Sequence, residues 1–185
     1  VSKKSVAVAV GDFIPRDTES SLAVELGACL IKNDRMDWLL QKATELGVTS
    51  VTPLWSEYTD VKIPADRLEK KMNHWRQVMI SACEQSERVA IPTLNMPKKL
   101  PDWLGVAADK KIVLHPYVVS SSISDSMQSV ALLVGPEGGL SEAEVALSIE
   151  HQFTGMVLGP RILRAETAPL AALTALQLQS GDFSI

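Results

Sequence analysis

Cysteine is scarce in this chain: two in 185 residues, Cys29 and Cys83, each inside an apolar segment. That scarcity excludes a disulfide-built scaffold, and both are read as buried free thiols of a cytoplasmic protein. The three histidines, His74, His115 and His151, show neither H-x-x-x-H spacing nor a nearby C-x-x-C, so no metal is expected. No run of about 18 apolar residues occurs, which argues against a membrane-spanning helix. Basic residues are in deficit, with a net charge of −4; this excludes a strongly basic nucleic-acid binder but not a locally basic face. Neither G-x-G-x-x-G nor G-x-x-x-x-G-K-[ST] is found, so dinucleotide and P-loop readings lack support. The chain opens VSKKSVAVAV, without an initiator Met or a signal-peptide core, and is expected to be a piece of a longer protein.

What is present reads as an α/β domain. Val6, Val8 and Val10 alternate as in a strand, and GDFIPRDTESS then breaks the pattern at an expected domain boundary. Further strands are expected at 22–31, 48–54, 88–94, 111–115, 130–134 and 153–158. A helix capped by Asp34 carries Met36, Leu39, Leu40, Ala43 and Leu46 on one stripe and ends at Gly47 in a left-handed cap. A second follows Pro64, with Leu68, Met72, Trp75, Met79, Ala82 and Cys83 facing inward. PKKLPDWLGV predicts a short helix or turn, and Ser120 to Ser129 a serine-rich loop. Ser141 and Glu144 form the S-x-x-E capping box of a helix running to about Glu150, and a final apolar helix covers 168–179. Alternating strands and helices, with nearly continuous apolar strands, predict a parallel sheet covered on both faces. Trp38, Trp55, Trp75 and Trp103 are read as core or interface residues rather than base-stacking platforms.

Two breaks stand apart from this pattern. LLVGPEGGLS (132–141) takes a strand into three glycines, a proline and one carboxylate. VLGPRILRAETA (157–168) places Arg161, Arg164 and Glu166 directly before a helix. In an open parallel sheet, ligands bind beyond the carboxyl ends of the strands, where both breaks lie. Gly135, Gly138 and Gly139 lack Cβ atoms, so their backbone groups can approach a flat ligand such as an adenine edge. The alternative is a tight turn feeding the Ser141 cap. Thr167 is available as an N-cap, with Glu166 near the positive helix end. Arg164 is suited to hold a phosphate or stabilise negative charge on a substrate base, or to pair with Glu137 or Glu166.

GPEGGLSEAEV and LGPRILRAETA resemble the two signature loops of the ribosomal RNA small subunit methyltransferase E family. KNDRMDWLLQKATELGV (32–48), TPLWSEYTDVK (52–62) and HWRQVMISACEQSERVAIP (74–92) agree in order and spacing, over about Leu22 to Asp182. The resemblance implies a SPOUT-type methyltransferase domain at 21–185 with a C-terminal trefoil knot, preceded at 1–20 by a remnant strand and linker of a PUA-like β-barrel. It implies S-adenosylmethionine (SAM) as cofactor, N3-methyluridine in 16S ribosomal RNA of the small subunit as product, and a homodimer. Three loops are then expected to bind the cofactor: Leu114, His115 and Pro116; Gly135, Pro136, Glu137, Gly138 and Gly139; and Leu158, Gly159, Ile162, Leu163, Arg164, Thr167 and Ala168.

Uridine N3 carries a proton, so methylation there needs a base or a cation that stabilises the developing anion. Arg164 is the candidate cation. Glu166 and Glu137 are weaker candidates for the base, each with a capping or ion-pair role available. Arg88 and Lys62 are candidate RNA contacts, Arg88 alternatively a solvated strand end. The alternatives are a SPOUT enzyme acting on another RNA or on ribose 2′-OH, and a non-catalytic RNA-binding module of the same fold.

Overall fold

Apolar strands that pair in parallel need cover on both faces, and the helices here supply it. The structure is a computed structural model that describes residues 5–116 and 127–184. Its elements are β1 (Ala23–Cys29), α1 (Asn33–Glu45), β2 (Ser50–Trp55), α2 (Ala65–Ser86), β3 (Thr93–Leu94), β4 (Lys98–Lys99), α3 (Leu100–Trp103), β5 (Lys110–Leu114), β6 (Ser129–Val134), α4 (Glu142–Glu150), β7 (Thr154–Met156) and α5 (Thr167–Ser180). The strands form one sheet in the order β3-β2-β1-β6-β5-β7, with β4 also on β2. Every pairing is parallel. One face packs Val24, Leu26, Val130 and Leu132 against Met36 and Leu40 of α1, Trp75 and Met79 of α2, and Leu173 and Leu176 of α5. The other packs Leu54, Val113, Ala131 and Leu133 against Leu100 and Trp103 of α3, Phe153, and Val145 and Leu147 of α4. This is the three-layer α/β arrangement that the alternation predicts.

Local signals explain much of this. Gly47 sits at φ +82 and ends α1 as expected, with the buried Gln177 side chain of α5 donating to the Leu46 carbonyl at 3.0 Å. The capping box is complete: Ser141 N–H donates to Glu144 Oε2 at 3.0 Å, and Glu144 N–H to Ser141 Oγ at 3.2 Å. Pro53 lies within β2, where β3 has ended at Leu94 and β4 has not begun at Lys98. A missing ladder donor costs least there.

Several expectations are corrected. Asp34 is not the cap of α1; the helix starts two residues earlier than that cap implies, at Asn33, with Lys32 at the cap position and no side-chain cap bond. The strand expected at 88–94 shrinks to Thr93–Leu94. Residues 5–10 form no strand, and Val6, Val8 and Val10 are exposed, because no neighbouring strand among the described residues offers a ladder. Residues 120–126 of the expected serine-rich loop lie outside the described residues.

Arg88 is the largest departure. Its side chain is 7% exposed, neither a solvated strand end nor a surface for RNA. The guanidinium pairs with Glu19 and donates to the Thr44 carbonyl at 2.8 Å and the Val48 carbonyl at 2.9 Å. Val89 and Ala90 N–H groups also donate to Glu19 Oε1. Arg88 therefore fastens the segment before β1 to the end of α1 and the start of β2.

Removing one partner of such a pair strands the other. Arg88→Met is expected to cost about 3 kcal/mol in urea unfolding; a change below about 1 kcal/mol contradicts the clamp. The Arg88 hydrogen bond, against the opposing effect of burial, holds the Glu19 carboxyl below the usual carboxylate range. A carboxyl depressed on folding contributes stability that is present above its unfolded pKa and lost as pH falls through the folded one. Glu19→Gln is therefore expected to flatten the acid limb of the stability curve, measured by urea titrations at stepped pH.

Candidate functional site

Leu114 of β5 pairs in register with Val134 of β6 and with Met156 of β7, so the three strands end level. The loops that follow them enclose a cavity of about 640 Å³, within the usual range for a small-molecule site. Leu114, His115, Pro116, Gly135, Pro136, Glu137, Gly138, Gly139, Leu158, Gly159, Ile162, Leu163, Arg164 and Ala168 all line it. Thr167 does not: it is the first residue of α5 rather than its cap and faces an adjoining depression together with Glu166. The turn before α5 is closed by the Thr167 and Ala168 N–H groups, both donating to the Arg164 carbonyl at 2.9 Å.

The glycines divide by cause. Gly139, at φ +76, donates its N–H to the Pro136 carbonyl at 2.9 Å; a Cβ there meets nothing within 4 Å. Gly159, at φ +78, is similarly open, with only the end of Arg161 at 3.9 Å. Both keep the loop backbone bare toward open space. Gly138 is different. A Cβ there would lie 2.9 Å from Tyr58 Cβ. Its missing side chain makes room for Tyr58, while the residue itself still lines the cavity.

Charge gathers at one rim of the cavity. Arg35, from the first turn of α1, stands between two loops: its Nη1 is 3.6 Å from Glu137 Oε1 and its Nε is 3.8 Å from Glu166 Oε1. Arg164 Nη1 lies 3.9 Å from the same Glu166 oxygen, on a side chain that is 74% exposed. Glu137 also accepts the Lys32 N–H at 3.3 Å. Glu166 is 9% exposed, and its Oε2 is buried without a hydrogen-bond partner. Burial pushes the pKa of His115, another lining residue, below its ordinary value, which favours the neutral ring at pH 7.

Arg35 was not among the expected site residues, although one signal existed. A cation in the first turn of a helix opposes the macrodipole, which favours a second role for it. Trp38 is 43% exposed and lines the adjoining depression, so of its two expected roles the core one is excluded. Lys62 is exposed in the connection after β2, and no ion pair to it is found among the described residues. Among the described residues no cluster suits a metal ion, and no helix is long and apolar enough to cross a membrane.

The model of the RNA methyltransferase domain family matches residues 18–177. The ribosomal RNA small subunit methyltransferase E of Buchnera aphidicola (Schizaphis graminum) is 39% identical over 91% of this chain and 70% of its own length. The chain belongs to the ribosomal RNA small subunit methyltransferase E family. The Bacillus subtilis member is 33% identical over 97% of this chain and 75% of its own. Among solved structures, the family member from Neisseria gonorrhoeae, bound to S-adenosyl methionine, superposes with a TM-score of 0.85 at 36% identity, covering 91% of this chain and 72% of that one. A Legionella pneumophila protein solved with the cofactor SAM bound gives a TM-score of 0.86 at 41% identity, over 90% of this chain and 70% of that one.

Gly138→Ala tests the contact with Tyr58. The added methyl must displace Tyr58 and is expected to cost about 1–3 kcal/mol, as overpacking does, read from the urea midpoint. A variant as stable as the parent contradicts the contact.

Proposed function

We propose that this protein is a SAM-dependent methyltransferase that forms N3-methyluridine in 16S ribosomal RNA of the small subunit, working as a cytoplasmic homodimer. The observation that carries this reading is the cavity where β5, β6 and β7 end level, in a family whose solved members include one with S-adenosyl methionine bound. The residues fit that cofactor. Gly139 and Gly159 leave their loops bare toward open space, so main-chain donors and acceptors are available to an adenine edge. Leu114, Leu158 and Leu163 offer apolar contact. A neutral His115 adds no positive charge against a cationic sulfonium. When bound, SAM supplies an electrophilic methyl group.

The chain's own residues then have the acceptor to prepare. Deprotonated uracil spreads negative charge over O2, N3 and O4. Arg164, an exposed guanidinium at the cavity rim, stabilises that charge. Residues 1–20 belong in this reading to the end of a PUA-like barrel and its linker, and 21–185 to the catalytic domain with its C-terminal trefoil knot. The alternating valines exposed at 6, 8 and 10 support the barrel assignment, since such a strand buries one face only against the rest of its sheet. Lys62, exposed after β2, is retained as an RNA contact. Arg88 is not.

Calorimetry with SAM tests the cofactor, and mass spectrometry of ribosomal RNA from a strain lacking the protein tests the product: loss of one N3-methyluridine is expected, and an unchanged profile refutes the assignment. Arg164→Ala is expected to lower turnover about a hundredfold or more with cofactor affinity retained. Parallel loss of affinity reassigns Arg164 to cofactor anchoring.

A further inference from the structure

α2 carries its charge unevenly. Its inner face buries Met72, Trp75, Met79, Ala82 and Cys83. At 3.6 residues per turn, the remaining surface divides into two flanks. One runs through positions 66, 69, 73, 76, 80 and 84 and mixes Asp66, Glu69 and Glu84 with Arg76. The other holds Arg67, Lys70, Lys71 and His74, then the uncharged Gln77, Val78, Ser81 and Gln85, without a single carboxylate. The chain has 22 acidic residues against 18 Lys and Arg, so a basic row free of acids runs against its average. Like charges three and four residues apart weaken a helix, and Arg67 stands at those spacings from Lys70 and Lys71. Folding alone gives no reason for the row.

Its neighbours do not neutralise it. Asp37 of α1 accepts the Trp75 Nε1–H at 3.1 Å and lies 2.6 Å from His74 Nε2 and 3.6 Å from Lys71 Nζ, which seats the edge nearest α1. Arg67 and Lys70 are exposed, and no ion pair or side-chain hydrogen bond to either is found among the described residues. Even Asp66, four residues before Lys70, does not pair with it. The row also begins at the cavity. Ala28 of β1 pairs with both Pro53 of β2 and Val134 of β6, so β2 ends at the same edge of the sheet. The connection that follows sets Tyr58 against Gly138. Lys62 comes four residues later, exposed between Val61 and Ile63, which pack on the core. From Arg67 to His74 the row then extends about 10 Å back along the sheet. Uncommitted cations in line, with no exposed aromatic among them, suit a polyanion held by its backbone: guanidinium forks and ammonium groups both take phosphate oxygens. We infer that this flank of α2, with Lys62 at its head, is the track along which ribosomal RNA phosphates lead away from the cavity. The inference rests on the methyltransferase reading above and adds the surface that holds the substrate. Such contacts position a strand without reading its bases.

The test uses small ribosomal subunits from a strain lacking the enzyme, with binding and single-turnover methylation followed against salt. Arg67→Gln and Lys70→Gln are compared, singly and together, with Arg76→Gln, an exposed cation on the other flank of the same helix. The double variant is expected to bind subunits about fivefold or more weakly, and its salt slope to fall by about one for each cation removed. Arg76→Gln should stay within about twofold of the parent, since it lies off the track. Methylation at saturating subunits, SAM affinity by calorimetry and thermal unfolding should all match the parent. A second readout identifies what lies on the flank. Gln77→Cys, three residues beyond His74, carries a tethered hydroxyl-radical probe, the two native cysteines being buried. Cuts in 16S ribosomal RNA are expected. A double variant no weaker than Arg76→Gln overturns the inference. Weakened binding without RNA cuts overturns it too, and assigns the flank to a ribosomal protein. Failure of the parent itself to methylate these subunits instead refutes the function on which the inference rests.

Discussion

Backbone hydrogen bonding between β5, β6 and β7 sets Leu114, Val134 and Met156 side by side. Three loops from distant parts of the sequence then start at one height, and a single cavity forms among them. The alignment is protected by packing on both sides of the sheet. Leu132 belongs to the layer beneath α1, α2 and α5, while Ala131 and Leu133 belong to the layer beneath α3 and α4. A slip of one residue exchanges those faces throughout a strand. The core on each side thus fixes the height at which the chain turns outward.

The cavity rim depends on a second, softer constraint. Arg35 is carried by α1, Glu137 by the loop after β6, and Glu166 and Arg164 by the loop before α5. None of the four makes a short ion pair with another, and the Arg164 side chain is largely in solvent. Charges held close but not closed upon one another keep their fields available to a third party. Exposed pairs of this length contribute little to stability. Their arrangement is better understood through what enters between them.

The layers, the parallel sheet and most helix limits were legible in the sequence, because each rests on a local signal. The stripe from Met36 to Leu46 gives α1, Gly47 its end, and Ser141 with Glu144 the start of α4. The loops around the cavity were legible as composition, glycine and proline after apolar runs. What escaped was whatever depends on contacts distant in sequence. Arg88 reads as an ordinary basic residue until Glu19, Thr44 and Val48 are brought around it. That Gly138 must also make room for Tyr58 becomes visible only when the two are brought together. Trp38 lies off the apolar stripe of α1, and only the fold shows that it stands exposed beside the start of α5.

Glu144 does more than cap α4. Its Oε1 accepts the Glu57 N–H at 2.8 Å, so the helix start holds the turn that carries Tyr58, and Tyr58 in turn lies on Gly138. One glutamate thereby connects the far layer of the sheet to the glycine loop at the cavity mouth. Shortening the side chain at 144 would therefore release the turn at 57–58 as well as the start of α4, and slacken the backing of the loop at 138.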